Sequence, residues 1–106
     1  MSVSVSIIVP CYNVAAYLDQ CMESLAGQSM EDIEIICVND GSSDHTAEIL
    51  REWRDRDGRV RVIDRKNSGV SAARNSGMEA AAGKYIGFVD PDDVVERNMF
   101  RRLFDA

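Results

Sequence analysis

Hydrophobic and polar positions fall in alternating blocks along this chain. Val3 to Val9, Ile33 to Val38, Val60 to Ile63 and Tyr85 to Val89 are short apolar runs rich in β-branched residues, and they predict strands. Between the first two, Leu18, Cys21, Met22 and Leu25 fall at i, i+3, i+4 and i+7, one face of a helix that Gly27 stops. A second helix is predicted from the N-cap Asp44 to Gly58, turning Ile49, Leu50 and Trp53 toward the sheet. A third, Val70 to Ala82, carries a stripe of small residues, Ala73, Gly77, Ala80 and Ala81, that lets it lie close to the strands. Met99, Phe100, Leu103 and Phe104 recur at helical spacing and read as core packing of a last helix. The alternation of Ser2, Ser4 and Ser6 predicts a first strand that is half exposed at its start and buried from Ile7 to Val9.

The order β-α-β-α-β-α-β-α is that of an α/β fold, a parallel four-stranded sheet with helices on both faces. With 106 residues the chain fits one domain, residues 1–106, and 45% hydrophobic with 28% charged residues is the composition of a globular protein. A net charge of −6 argues against a nucleic-acid partner, which needs clustered Lys and Arg. The three cysteines, Cys11, Cys21 and Cys37, sit inside apolar stretches and read as buried reduced thiols, with no zinc-ligand spacing among them. Neither a signal peptide nor a membrane-length apolar run is visible, so the expected location is cytoplasmic, with attachment to the inner face of the membrane left open.

Ligands of open parallel sheets bind beyond the carboxyl ends of the strands, and polar residues concentrate at all four predicted ends. Asp90, Asp92 and Asp93 follow the fourth strand; three carboxylates that close repel one another unless solvated or bridged by a hard divalent cation such as Mg2+ or Mn2+. Asp-Pro-Asp-Asp is equally good turn chemistry. Asp40, at the end of the second strand, is placed to accept a hydrogen bond from a base or a ribose hydroxyl. Asn67-Ser68-Gly69 opens the third helix, whose amides and dipole favour anions. Arg74, one turn further, reads either as a phosphate or carboxylate partner or as a plain surface residue. Tyr12 is either a cover for a planar base or a core tyrosine. His45, without a nucleophile beside it, reads as exposed and uncatalytic, and Lys66 and Lys84 as surface residues.

Four segments then coincide in order: Val5 to Asn13, Ile36 to Asp44, Asn67 to Gly77 and Tyr85 to Asp93. Together they resemble the nucleotide-sugar-binding part of family 2 glycosyltransferases of the GT-A fold, a Rossmann-like architecture. The resemblance implies that Pro10, Tyr12 and Asp40 contact the nucleoside of a UDP-sugar, and that Asn13, Gly41, Ser42, Asn67, Gly69 and Arg74 belong to the same donor site. It implies that Asp90 and Asp92 form a D-x-D motif, Asp92 holding Mn2+ or Mg2+ on the diphosphate and Asp90 contacting ribose or sugar as well as metal. Asn39 stands where many members carry a second Asp.

The implied activity is transfer of the sugar, with inversion, to a hydroxyl of a glycan or glycolipid acceptor in the synthesis of a cell-envelope polysaccharide or glycoconjugate. The family's general base comes from a later segment, so no catalytic residue is assigned within the chain and the base is expected beyond Ala106. The domain accordingly reads as a truncated one whose exposed apolar surface favours a homo-oligomer. The competing reading is a noncatalytic module that holds a nucleotide or a partner copy. A phosphoacceptor receiver domain is disfavoured because Pro10-Cys11-Tyr12-Asn13 stands where its acidic pair belongs, and a dinucleotide-binding domain because no G-x-G-x-x-G follows the first strand.

Overall fold

The computed structural model describes residues 3–105; Met1, Ser2 and Ala106, and with them the first serine of the predicted alternation, lie outside the described residues. Eight elements follow one another in the expected order: β1 (Val5–Cys11), α1 (Ala15–Ala26), β2 (Ile33–Asp40), α2 (Thr46–Arg56), β3 (Val60–Arg65), α3 (Val70–Ala80), β4 (Tyr85–Phe88) and α4 (Met99–Asp105). Every strand pairing is parallel, and the order across the sheet is β3-β2-β1-β4.

This order follows from where the apolar faces go. The chain steps outward from β1 to β2 and β3, then returns past β1 to lay down β4. Leu18, Met22 and Leu25 of α1, Leu50 and Trp53 of α2 and Phe100 of α4 share one core with Ile7, Val9 and Ile35. On the opposite face α3 buries Ala73 against Ile8, Ile36 and Val38. A reversal of direction combined with a change of face keeps the three crossovers on one hand, as parallel β-α-β units require. Covered on both faces, β1 and β2 are buried along their whole lengths, which is why they read as nearly continuous apolar runs.

α3 approaches the sheet through its small residues. A Cβ on Gly77 would stand 2.5 Å from Ile8 Cγ2, so only hydrogen fits there. Gly27 follows α1 as its C-terminal cap, and its amide donates to the Glu23 carbonyl.

Three expectations need correction. Ser6 is fully buried: its hydroxyl donates to Glu34 and accepts from the Gly83 amide, partners that a serine alternation cannot reveal. β1 and β2 run two residues further than their apolar stretches, through Pro10-Cys11 and Asn39-Asp40, because ladder pairing continues in register past the end of each run. In α4 only Phe100 is buried; Leu103 and Phe104 stay exposed, with Phe104 edge-on to Tyr85 at 5.4 Å. They lie beside the outer strand β4, where Tyr85, Ile86 and Phe88 are also exposed. Among the described residues no helix is long and apolar enough to cross a membrane.

Candidate functional site

The strand order reverses between β1 and β4, and such a switch point opens a crevice at the carboxyl ends of the two strands. Pro10 is the penultimate residue of β1 and does not disturb its pairing with β2. The Ile8 carbonyl accepts the Val89 amide, so Pro10, two residues on, turns its backbone to the same side, where β4 has already ended. A proline is tolerated there because the ladder on that side stops. Beyond it Tyr12 projects with half its surface exposed, which removes the core reading of this ring.

Asn13 adopts a left-handed backbone conformation, φ 52°, that asparagine tolerates. Its amide donates to Ser42 Oγ at 3.1 Å, and its Oδ1 accepts the Ser43 amide at 2.8 Å. The Ser42 amide in turn donates to Asn39 Oδ1 at 3.2 Å. Asp44, expected as the N-cap of α2, stands one residue before the observed cap His45; its carboxylate still accepts from the first residues of two helices, Oδ1 from the Thr46 amide at 2.9 Å and Oδ2 from the Ala15 amide at 3.2 Å. These bonds fix the loops after β1 and β2 to each other.

Asp40, the last residue of β2, is buried. Its Oδ1 accepts the Ser68 amide and its Oδ2 the Gly69 amide, each at 3.0 Å. That carboxylate pulls the segment leading into α3 against the end of β2. Gly41 permits the approach: at φ 71° it turns the chain, and a Cβ there would lie 2.7 Å from the Asn67 nitrogen.

A cavity of about 320 Å³ opens between these parts, lined by Pro10, Cys11, Tyr12, Asp40, Asn67, Gly69, Val70 and Ala73. Five of its residues, Pro10, Tyr12, Asp40, Asn67 and Gly69, are ones the sequence nominates. Cys11, Val70 and Ala73 were missed because they read as packing residues, and no chemical signal in the sequence separates them from the core. Asn13, Gly41 and Ser42 are not among its lining residues; they shape the loops beside it.

The next residue of α3, Arg74, opens onto a second cavity of about 430 Å³ that it shares with Phe88, Asp90 and Asp93. Its guanidinium lies 5.9 Å from the Phe88 ring centre and 3.7 Å from Asp90 Oδ1. The Asp93 amide donates to the Asp90 carbonyl, and this turn brings oxygens of Asp90, Asp92 and Asp93 within 4.8 Å of one another, all exposed. Such hard, accessible oxygens are the donor set that Mg2+ or Mn2+ prefers, and they leave room for ligands from elsewhere. Beneath the turn, the Cys21 thiol faces the Asp90 carbonyl at 3.7 Å. Burial, then the Asp93, Asp92 and Asp90 carboxylates, push that thiol up to about 12. The first cavity and the acidic turn thus flank consecutive residues, Ala73 and Arg74, near the start of one helix.

His45, Lys66 and Lys84 are exposed. Among the described residues His45 pairs only with Glu48, at 3.0 Å.

A parallel α/β domain with a hydrogen-bonded crevice at its switch point and a carboxylate cluster nearby belongs to the open-sheet class that binds ligands beyond the carboxyl ends of its strands. The family model of Glycosyl transferase family 2 matches residues 6–106, and the chain belongs to that family. It is 54% identical over 99 residues to the uncharacterized glycosyltransferase EpsJ of Bacillus subtilis, covering 93% of this chain and 29% of that protein. It is 44% identical over 105 residues to the glycosyltransferase GlyG of Streptococcus pneumoniae, covering 98% of this chain and 35% of that one. Among solved structures, residues 1–349 of S. aureus TarS in complex with UDP-GlcNAc superpose with a TM-score of 0.89 at 31% identity, over 94% of this chain and 30% of that one. The mannosyltransferase PcManGT of Pyrobaculum calidifontis, in complex with GDP-Man and Mn2+, shares the fold with a TM-score of 0.81 at 22% identity, over 89% and 29% of the two chains. The chain therefore spans about a third or less of the length of these relatives.

Proposed function

We propose that this chain is the donor- and metal-binding part of an inverting glycosyltransferase that takes its sugar from a UDP-sugar and gives it to a hydroxyl of a glycan or glycolipid. The observation that carries the reading is the pairing, across the first turn of α3, of a cavity lined by Tyr12 and Asp40 with the carboxylates of Asp90, Asp92 and Asp93. UDP-GlcNAc bound by TarS, at 31% identity, supports the choice of uridine.

In this reading the Tyr12 ring covers the base and Asp40 accepts one of its N–H groups, each oxygen keeping a lone pair beyond its backbone bond. Pro10, Asn67 and Gly69 complete the nucleoside wall, with Asn13, Gly41 and Ser42 in the loops beside it. The amino end of α3 points its dipole toward the diphosphate, and Arg74 adds a positive charge on that side. Asp92, with Asp90, would hold a divalent cation, which when bound offsets the charge that grows on the leaving diphosphate. In the transfer, the acceptor oxygen forms its bond to the anomeric carbon as the bond to the diphosphate oxygen breaks, and the acceptor's proton passes to a general base. We assign that base to a segment beyond Ala106. A cytoplasmic site of action, a role in cell-envelope polysaccharide synthesis and self-association through the exposed β4 and α4 residues belong to the same proposal.

Titration calorimetry with UDP, GDP and CDP, with and without Mn2+, on the chain and on Asp92→Ala tests it. UDP should bind best, and its metal dependence should disappear in Asp92→Ala. If no nucleotide binds, or binding ignores both metal and Asp92, the donor-site reading fails.

A further inference from the structure

Arg65 closes β3 directly opposite Asp40, and the two residues are ladder partners. Its guanidinium is held from two sides. Nη1 donates to the Ala72 carbonyl at 2.8 Å and to Ser76 Oγ, both on α3. Nε lies 3.5 Å from Asp40 Oδ1, buried and with no hydrogen-bond acceptor of its own. Asp40 meanwhile holds the amides of Ser68 and Gly69. The segment from Lys66 to Gly69 is therefore pinned at both ends by one ion pair: through Asp40 at its amides, and through Arg65 at the first turns of the helix it enters.

We propose that Arg65 is a positioning residue for the nucleoside cavity: it latches α3 to Asp40 and thereby holds Asn67 and Gly69 in place before a ligand arrives. The inference rests on the reading of that cavity as a nucleotide site, and it deepens it by naming what keeps the wall ordered. Two features of the molecule make the latch specific to this wall. Arg65 touches α3 and Asp40, whereas β2 is already secured by full ladders to β1 and β3. Arginine suits the task because its planar fork serves two directions at once, which a lysine ammonium does not reproduce. Ordering the wall beforehand lowers the entropic cost of binding.

Amide hydrogen exchange by NMR, without nucleotide, reads the latch directly, since Ser68 and Gly69 owe their protection to Asp40. In Arg65→Gln those two amides should exchange about tenfold faster while amides of β1 and β2 keep their rates. The dissociation constant for UDP, measured separately, should rise about fivefold. Ser76→Ala, which removes one acceptor of the guanidinium and leaves its charge, should accelerate the same two amides to a smaller extent. Unchanged exchange at Ser68 and Gly69 in Arg65→Gln overturns the inference, and so does a loss of protection that spreads into β1 and β2, which marks Arg65 as a general support of the fold. Failure of the unaltered protein to bind UDP would count against the nucleotide reading, while the exchange result would still decide the latch.

Discussion

Ser6 and Glu34 face each other in register across β1 and β2, and the Ser6 hydroxyl donates to Glu34 Oε2 at 2.6 Å. The Ala82 amide reaches the same oxygen, Arg61 donates to Oε1 at 2.9 Å, and the Gly83 amide donates to the Ser6 hydroxyl at 2.8 Å. One buried carboxylate thus ties the end of α3 beneath the sheet, at the opposite end from the crevice. Burial by itself raises its pKa, but the bonds from Ser6, Ala82 and Arg61 outweigh burial and hold the carboxyl below its ordinary value of 4.5.

A carboxyl whose folded pKa is depressed contributes stability that is fully present above its unfolded pKa and is lost as pH falls through the folded value. Asp57, held down first by its hydrogen bond from Arg59, acts in the same direction. Stability should therefore decline on acidification below about pH 4.5. Glu34→Gln should flatten that decline and cost about 1 to 3 kcal/mol at neutral pH, because one amide cannot serve three donors. Urea titrations across the acid range check both effects.

Gly77 should resist even the smallest substitution. Alanine gains about 1 kcal/mol of helix propensity over glycine. Against that, its Cβ would stand 2.5 Å from Ile8 Cγ2, and Ile8 is fully buried between β1 neighbours and α3. Overpacking of this kind costs about 1 to 3 kcal/mol, so Gly77→Ala should lower the thermal midpoint and Gly77→Val should lower it further. A midpoint raised by Gly77→Ala would mean that α3 does not lie as close to the sheet as described.

The architecture was legible because each strand is a single apolar run and each helix has one apolar face, so local pattern and global fold agree. Strand ends were less legible. Pro10 and Asp40 look like loop residues, yet backbone pairing decides the matter, and pairing depends on which strand lies alongside. Burial of Ser6 and Glu34 is likewise set by register between segments 28 positions apart. In the crevice, polar residues at strand ends gave themselves away, whereas Cys11, Val70 and Ala73 carry no signal apart from their place. Arg65 was invisible for a related reason: its partners Asp40, Ala72 and Ser76 come together only through the β3 ladder and the crossover that follows. Leu103 and Phe104 have the spacing of core residues, but a periodic pattern says which face is apolar and not whether anything covers it.

The thiols of Cys11, Cys21 and Cys37 should be silent toward a soluble disulfide reagent at pH 8. All three are free and buried, and burial pushes each thiol up, so the reactive thiolate is scarce. All three should react once the chain is unfolded in guanidinium. Rapid labelling of any of them in the folded state, read by mass spectrometry, would contradict the packing of β1, α1 or β2 around it.

Tyr12 separates a binding role from a structural one. The residue is 51% exposed and lines the cavity, so the fold gains little from it. Tyr12→Ala should leave the thermal midpoint within about half a kcal/mol of the unaltered chain, the usual range for surface substitutions. If the ring covers a uracil, the same change should weaken UDP binding by about 1 to 3 kcal/mol, the worth of base stacking on an aromatic side chain, while Tyr12→Phe should retain most of the affinity. Affinity that depends on the hydroxyl instead, with Tyr12→Phe as weak as Tyr12→Ala, would move the tyrosine's contact from the base face to a polar group of the ligand. A loss of stability in Tyr12→Ala with unchanged affinity would return Tyr12 to the structural role that its exposure argues against.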